Sequence, residues 1–476
     1  VTYQTIDNFA AGLDTRKSPL TSPAGTMTRI VNAAISPGGE IVKRRAFVNV
    51  GTVTGTFGLA ATESSIYVFG RNITPSLPTW PTVALGVQLK GLSVPNTATD
   101  MVQSDYDVFD GKVYLVCSVP SGVDANAKNP HYYDVPMLLT EGKGKGLYVR
   151  TYQSKMYSIT GKFLYFSAVG DPKLWDTGTG HGNINLSLQD ADAEVLTSIE
   201  VYYDKIAIFS TESVQIWAVD PDPAQNAFTQ LLRAAGTSAP RSPLQYGSGD
   251  VLFLDPSGMR SVKAKDSSNS AAVSDIGSPV DPTMSTLRAA KGVAYMDKAI
   301  ALLEPTVGRF WMVFPDQIMV LSYFPGPKVT AWSTFTLPEL GAATVQHAVT
   351  SGGKVFLRDT ADNIWVYGGT DGATYNNCGV EIRLPYLDGK KPGHRKLFQG
   401  FDATATGTWR VAVSLDFNNP DAEETIATIT QPTWNAGRIE QQGYDSHFSM
   451  RFYNTDTAAA TLSNCAIHYE MADAED

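Results

Sequence analysis

The sequence predicts an all-β protein: a β-propeller of roughly six to eight blades with an added β-sandwich-like domain. Three observations carry this. Strand–turn–strand units recur about every forty residues: KFLYFSAVGDPKLWDTG from Lys162, DKIAIFSTESVQIWAV from Asp204 and GDVLFLDPSGMRSV from Gly249. Charged residues are only 18% of the chain while Gly (41) and Pro (27) are plentiful, a balance that suits many strands joined by many turns. After Gly369 the strands lengthen and their spacing widens, as in a sandwich.

In chain order, residues 1–45 read as an extended N-terminal segment with few strand signals before Ile41. Ser22-Pro23 is a start signal for one short helix near Met27–Ala34. Pro37-Gly38-Gly39 then turns into a strand over Glu40–Val48. Residues 46–369 form the predicted propeller, with long loop insertions near 71–100 and 119–146. Its early strands are SSIYVFG from Ser64 and DGKVYLVCSV from Asp110. After the three units quoted above come KAIALLEPTVGRFWMVF from Lys298, QIMVLSYFPGPKVTAWSTF from Gln317 and GKVFLRDTADNIWVYGG from Gly353. Residues 370–476 form the sandwich-like domain, with strands in GVEIRLPYLDG, KLFQGFDATATGTWRVAVSLD, SHFSMRFYNTD and CAIHYEMA.

The formal net charge of −10 argues against a protein that grips phosphates, because nucleic-acid binders carry basic surfaces. Cys117, Cys378 and Cys465 lie far apart in apolar strand patterns, so buried reduced thiols are expected rather than a disulfide framework or a metal site. No apolar run approaches the roughly 20 residues of a membrane helix, and the expectation is a soluble protein assembled in a cytoplasm.

Catalytic motifs fail one by one. Asp105, Asp107 and Asp110 in SDYDVFDG imitate a calcium loop, but Asp110 is out of step and the closing Glu is missing. Asp190, Asp192 and Glu194 in QDADAEV fall on one face of an extended segment. That is the raw material of a glycosidase pair, or a solvated strand edge. GTGHGN from Gly178 lacks the ending of a phosphate loop, and the six histidines show no metal-binding spacing. Trp175, Trp217, Trp311, Trp332, Trp365 and Trp409 stand within apolar alternation, where core packing explains them better than a sugar platform. No catalytic, cofactor-binding or metal-binding residue is expected.

Several segments in order resemble one family. The opening has Gly12-Leu13-Asp14, Arg16, Pro19 and Asn32, then a Gly-containing turn before Lys43-Arg44. YFSAVGDPKLW from Tyr165, IFSTESVQIW from Ile208, AAGTSAPRS from Ala234 and FLDPSGMRSV from Phe253 follow. HRKLFQGFDATATGTWRVAVSLD from His394 closes the series. Together they resemble the tail nozzle proteins (tail tubular protein B) of short-tailed, podovirus-like bacteriophages.

The resemblance implies a structural virion protein of the tail, assembled in the host cytoplasm. It would be a homo-hexameric ring below the head–tail adaptor ring, touching a tail fibre or tailspike, that closes and then conducts the genome. Genomic double-stranded DNA would pass through the lumen without tight binding. Six chains at −10 each would carry a formal charge of about −60, which repels a DNA backbone. The candidate assembly contacts are Arg16, Lys17, Arg29, Lys43, Arg44 and Arg45, a basic set in a polar segment. For Lys43–Arg45 the plainer reading is a solvated strand edge. The rival functions are a carbohydrate-binding propeller of the receptor-binding lectin type and, third, a propeller glycosidase. A lectin would repeat binding residues from blade to blade, whereas the turns of this chain diverge.

Overall fold

A computed structural model describes residues 2–70, 73, 77–94, 100–119, 131–135, 138–142, 144, 146–190, 195–247, 249–263, 276–435 and 438–472. The chain is all-β, and its central body is a β-propeller. The strands Thr56–Ala61, Val102–Phe109, Tyr148–Tyr152, Leu196–Tyr202, Leu244–Tyr246, Ile300–Glu304 and Val345–Ser351 each touch the next, and the last touches the first. They are the inner strands of seven blades around one axis. The blades continue outward by antiparallel pairing, blade one's third strand excepted, as in blade four: Leu196–Tyr202, Lys205–Ser210, Ser213–Ala218, Ala227–Arg233.

Every gap between neighbouring blades is filled by its own apolar cluster. Ala60, Phe69, Val113 and Leu115 fill the gap between blades one and two. Ile159, Leu164, Ile206 and Ile208 fill that between three and four. Trp311, Val320, Val355 and Leu357 do the same between six and seven. This explains which units are visible in the sequence. The second and third strands of a blade are covered on both faces and read as apolar runs, such as KIAIFS and SVQIWA. Outer strands are half-solvated and read as loops.

The ring closes through a strand from the start of the chain. Phe47–Thr52 pairs antiparallel with Asn363–Tyr367 and becomes the outer strand of blade seven. The two long insertions also contribute strands. Gln88–Ser93, within the first, pairs parallel with Ser65–Gly70 as the third strand of blade one. His131–Val135 and Leu138–Gly142, within the second, complete blade two. The unit at Lys162 is not a hairpin: after Phe163–Phe166 its GDPKLW portion is a loop that returns as Gly182–Asn185. The units at Lys298 and Gln317 together make one blade, the sixth.

The second module is a β-sandwich, and both ends of the chain build it. One sheet orders Arg29–Val31, Val380–Arg383, Ser449–Asn454, Trp409–Ser414 and Glu424–Ile429. The other orders Ile439–Asp445, Lys396–Thr406, Thr461–Met471, Ile41–Lys43 and Ala33–Ile35, with Thr2–Ile6 also on Thr461–Met471. The facing sides meet in one core, where the Phe401 and Phe452 rings stand edge to face at 6.4 Å. Val31 bridges Thr334 in parallel, so the first sheet is continuous with blade six and the two modules share a nine-stranded sheet.

The N-terminal segment is therefore not a loose arm. No helix forms over Met27–Ala34; Thr26–Met27, Arg29–Val31 and Ala33–Ile35 are short strands. Asn32, with φ of 56°, breaks the run between two of them. The long-range pairing of this segment outweighs a local start signal. The expected strand over Glu40–Val48 is likewise two strands in two modules, Ile41–Lys43 in the sandwich and Phe47–Thr52 in the propeller.

Candidate functional site

The inner strands enclose an axial cavity of about 580 Å³, and its lining residues come from all seven blades. Arg150 lines it from blade three. Its Nη1 donates to Asp105 Oδ2 of blade two at 2.9 Å, and its Nε donates to Glu200 Oε2 of blade four at 2.9 Å. Asp105 Oδ2 also accepts from the Val149 N–H. Alternation along each inner strand puts every second side chain on the axis, which is why Asp105 and Asp107 both arrive there. This network ties three blades together.

Asp107 accepts from the Thr151 and Val108 N–H groups. Burial pushes its carboxyl up to about 6, although the Arg150 guanidinium pulls the other way. The ionised form is thus disfavoured in the fold. Its contribution to stability is fully present below the unfolded value of 3.8 and is lost as pH rises through about 6. The effect amounts to at most about 3 kcal/mol. Asp107→Asn should flatten this slope in thermal melts between those two pH values, and an unchanged slope would contradict the assignment.

The six candidate assembly residues separate. Arg16 is exposed and forms a bidentate pair with Asp14, at 3.0 and 2.7 Å, beside exposed Lys17. Arg29 is exposed and pairs with Glu381 at 2.7 Å. Lys43 and Arg44 are internal, at 3% and 1% exposure, so neither is a solvated edge nor a contact for a neighbour. Lys43 Nζ donates to Asn454 Oδ1 and to the Asp456 carbonyl, and burial pulls its ammonium below the ordinary value. Arg45 is half-buried, with its N–H on the Tyr367 hydroxyl.

Arg44 uses its whole guanidinium at the joint between the modules. Nη1 and Nη2 donate to the two carboxylate oxygens of Glu339 at 2.8 and 2.9 Å. Nε donates to Asn32 Oδ1, Nη1 also to the Arg45 carbonyl, and Nη2 to the Thr336 carbonyl. Glu339 in turn accepts from the Phe47 N–H and from Asn376 Nδ2. Sequence reasoning saw the basic run but not its buried acid, which lies 295 residues away.

Asp190 is not a solvated acid either. It is 4% exposed, accepts from Ser213 Oγ at 2.9 Å and faces Arg233 at 3.7 Å. Asp192 and Glu194 lie outside the described residues. Asp105 and Asp107 point their carboxylates at Arg150 and backbone N–H groups, not at a shared cation position, and Asp110 sits in the following turn at φ 48°. Five of the six tryptophans are at most 5% exposed, and Trp365 is half-buried with its Nε1 on Asp359. The three cysteines are buried and unbridged.

No family model matches the chain, and no curated protein matches it. Among solved structures, the WD40 domain of Neurospora crassa Pan2 superposes with a TM-score of 0.37 at 11% identity, covering 71% of this chain and 88% of that one. Kluyvelomyces marxianus Hsv2 does so with a TM-score of 0.32 at 10% identity, covering 56% and 71%. The propeller assignment rests on the strand pairing and the inter-blade cores described above.

Proposed function

We propose that this chain is a structural subunit of a phage tail, the nozzle of a short-tailed bacteriophage, working as a hexameric ring that closes and then conducts the genome. One observation supports the reading above others: the segments that carry the family resemblance are joints of the architecture. Gly12, at φ 61°, packs where a Cβ would stand 2.7 Å from Ala331. Asn32 and Arg44 belong to the module joint. Trp175 of the GDPKLW turn lies in the cluster between blades two and three. A Cβ on Gly236 of AAGTSAPRS would stand 2.6 Å from the Ser210 carbonyl oxygen, and Arg260 pairs with Asp281 through both terminal nitrogens. Residues with such roles suit a part whose task is to hold shape under load.

The axial cavity holds only about 580 Å³, so a duplex would travel between copies of the chain rather than along a propeller axis. The shared nine-stranded sheet suits that arrangement, because it joins the sandwich to blade six within each copy. Closed rings above two copies need heterologous contacts between different faces, such as a propeller face against a sandwich face. Native mass spectrometry of the purified chain should find a ring of six copies of 51.3 kDa, about 308 kDa, alone or after addition of the adaptor ring. A monomer under both conditions, with saturable binding of a surface glycan, would favour the lectin reading instead.

A further inference from the structure

The propeller axis has a second chamber that the ion pairs do not fill. It has a volume of about 370 Å³ and lies where the inner strands begin, near Thr56, Val102, Lys298 and Val345. Gln103, Arg241 and His347 line both chambers and form the waist between them. The first chamber holds three carboxylates from the inner strands. In the second, the only charged lining residues among those described are cations, Arg241 and Lys298.

Two residues at the waist, Arg241 and His347, are placed to meet a ligand. Arg241 donates Nη1 to the Gln346 carbonyl at 2.9 Å and forms no ion pair among the described residues. The nearby Asp105 is already held by Arg150 and the Val149 N–H. Gln103 is 8% exposed, and its Nε2 donates to the Leu59 carbonyl while its Oε1 is buried with no partner. That oxygen packs against Gly58 and does not open onto either chamber. His347 Nδ1 faces Arg358 Nη1 at 3.4 Å. A guanidinium only donates, so Nδ1 accepts and Nε2 carries the ring proton. Burial, reinforced by Arg241 and Arg358, keeps this imidazole neutral.

The backbone is shaped for this. The inner strands of blades seven, one and two each carry a bulge at this level, between Val345 and His347, Thr56 and Gly58, and Gln103 and Asp105. Bulges re-aim side chains, and here they gather three adjacent blades on one point. Gly58 makes room for the amide, since a Cβ there would stand 2.3 Å from Gln103 Oε1.

We propose that this chamber binds a small oxyanion, with the chemistry of a phosphate or sulfate group. Arg241 and Lys298 balance its charge, and His347 offers it an N–H. The reading is independent of whether the chain forms a tail ring.

Calorimetric titration of the full chain with sodium phosphate at neutral pH and low salt tests it. We expect saturable binding with one site per chain and a Kd of about 1 mM or tighter. Sulfate, an oxyanion of the same shape and similar size, should compete for the same site. Arg241→Gln should weaken phosphate binding by about a hundredfold and Lys298→Gln by about threefold to tenfold. Lys298 is exposed, so its variant decides the matter even if Arg241→Gln does not fold. Absence of saturable phosphate binding, failure of sulfate to compete, or indifference to Lys298→Gln would each overturn the proposal.

Discussion

Removing residues 1–39 should unfold the sandwich rather than trim an appendage. The deletion takes the strands Thr2–Ile6, Arg29–Val31 and Ala33–Ile35 out of both sheets. It also strips Ile6, Phe9, Met27, Ile30 and Ile35 from the core, each at most 2% exposed. At about 1.5–3 kcal/mol per buried side chain, the loss matches or exceeds the 5–15 kcal/mol by which a typical domain is stable. The sheet continuity between Val31 and Thr334 goes with it. We expect the truncated chain to aggregate, or to show rapid proteolysis across residues 380–471 while the blades resist. A soluble truncated chain that melts cooperatively at the temperature of the full chain would contradict this.

The second large effect is expected at the Arg44–Glu339 joint. Replacing either partner by Ala strands a buried charge, and we expect a loss of about 3–5 kcal/mol in urea unfolding. Replacing both together, Arg44→Met with Glu339→Leu, should recover much of it, because no unpaired charge remains. Burial pushes the Glu339 carboxyl up, but the Arg44 hydrogen bonds and charge pull it further down, so the net value is lowered. The stability from this pair is therefore present above the ordinary glutamate range and is lost as pH falls through the lowered value. A single-variant loss below about 1 kcal/mol, the size of an exposed pair, would show that the joint does not hold the modules.

The repeating interior of the propeller was legible in the sequence, and its completion was not. KIAIFS, DVLFLD and KVFLRD are apolar because neighbouring blades cover both of their faces. Outer strands such as Ala227–Arg233 and Gly182–Asn185 alternate weakly and carry no comparable signal. Strands made from distant segments were harder still. Arg29–Val31 and Ile41–Lys43 are three residues each, and both take partners about 300 or more residues away. The same distance hid the burial of Lys43 and Arg44. A basic run looks solvated until Glu339 and Asn454 arrive. The axial residues were noticed only as a failed calcium loop, because Arg150, Glu200, Arg241 and His347 come from four further blades.

The pairing of both chain ends in one sandwich has a consequence for biosynthesis. Residues 2–43 leave the ribosome well before residues 380–471, where most of their partners lie. At synthesis rates of about 5–20 residues per second, the intervening chain takes roughly 20–70 s. For that time Ile30, Ile35 and Ile41 have no finished core to enter, and Phe47–Thr52 waits for blade seven before the ring can shut. A nascent chain thus cannot shut the ring until Asn363–Tyr367 has emerged or finish the sandwich until residues 380–471 have, and any product truncated before residue 363 lacks the partner strand that closes the ring.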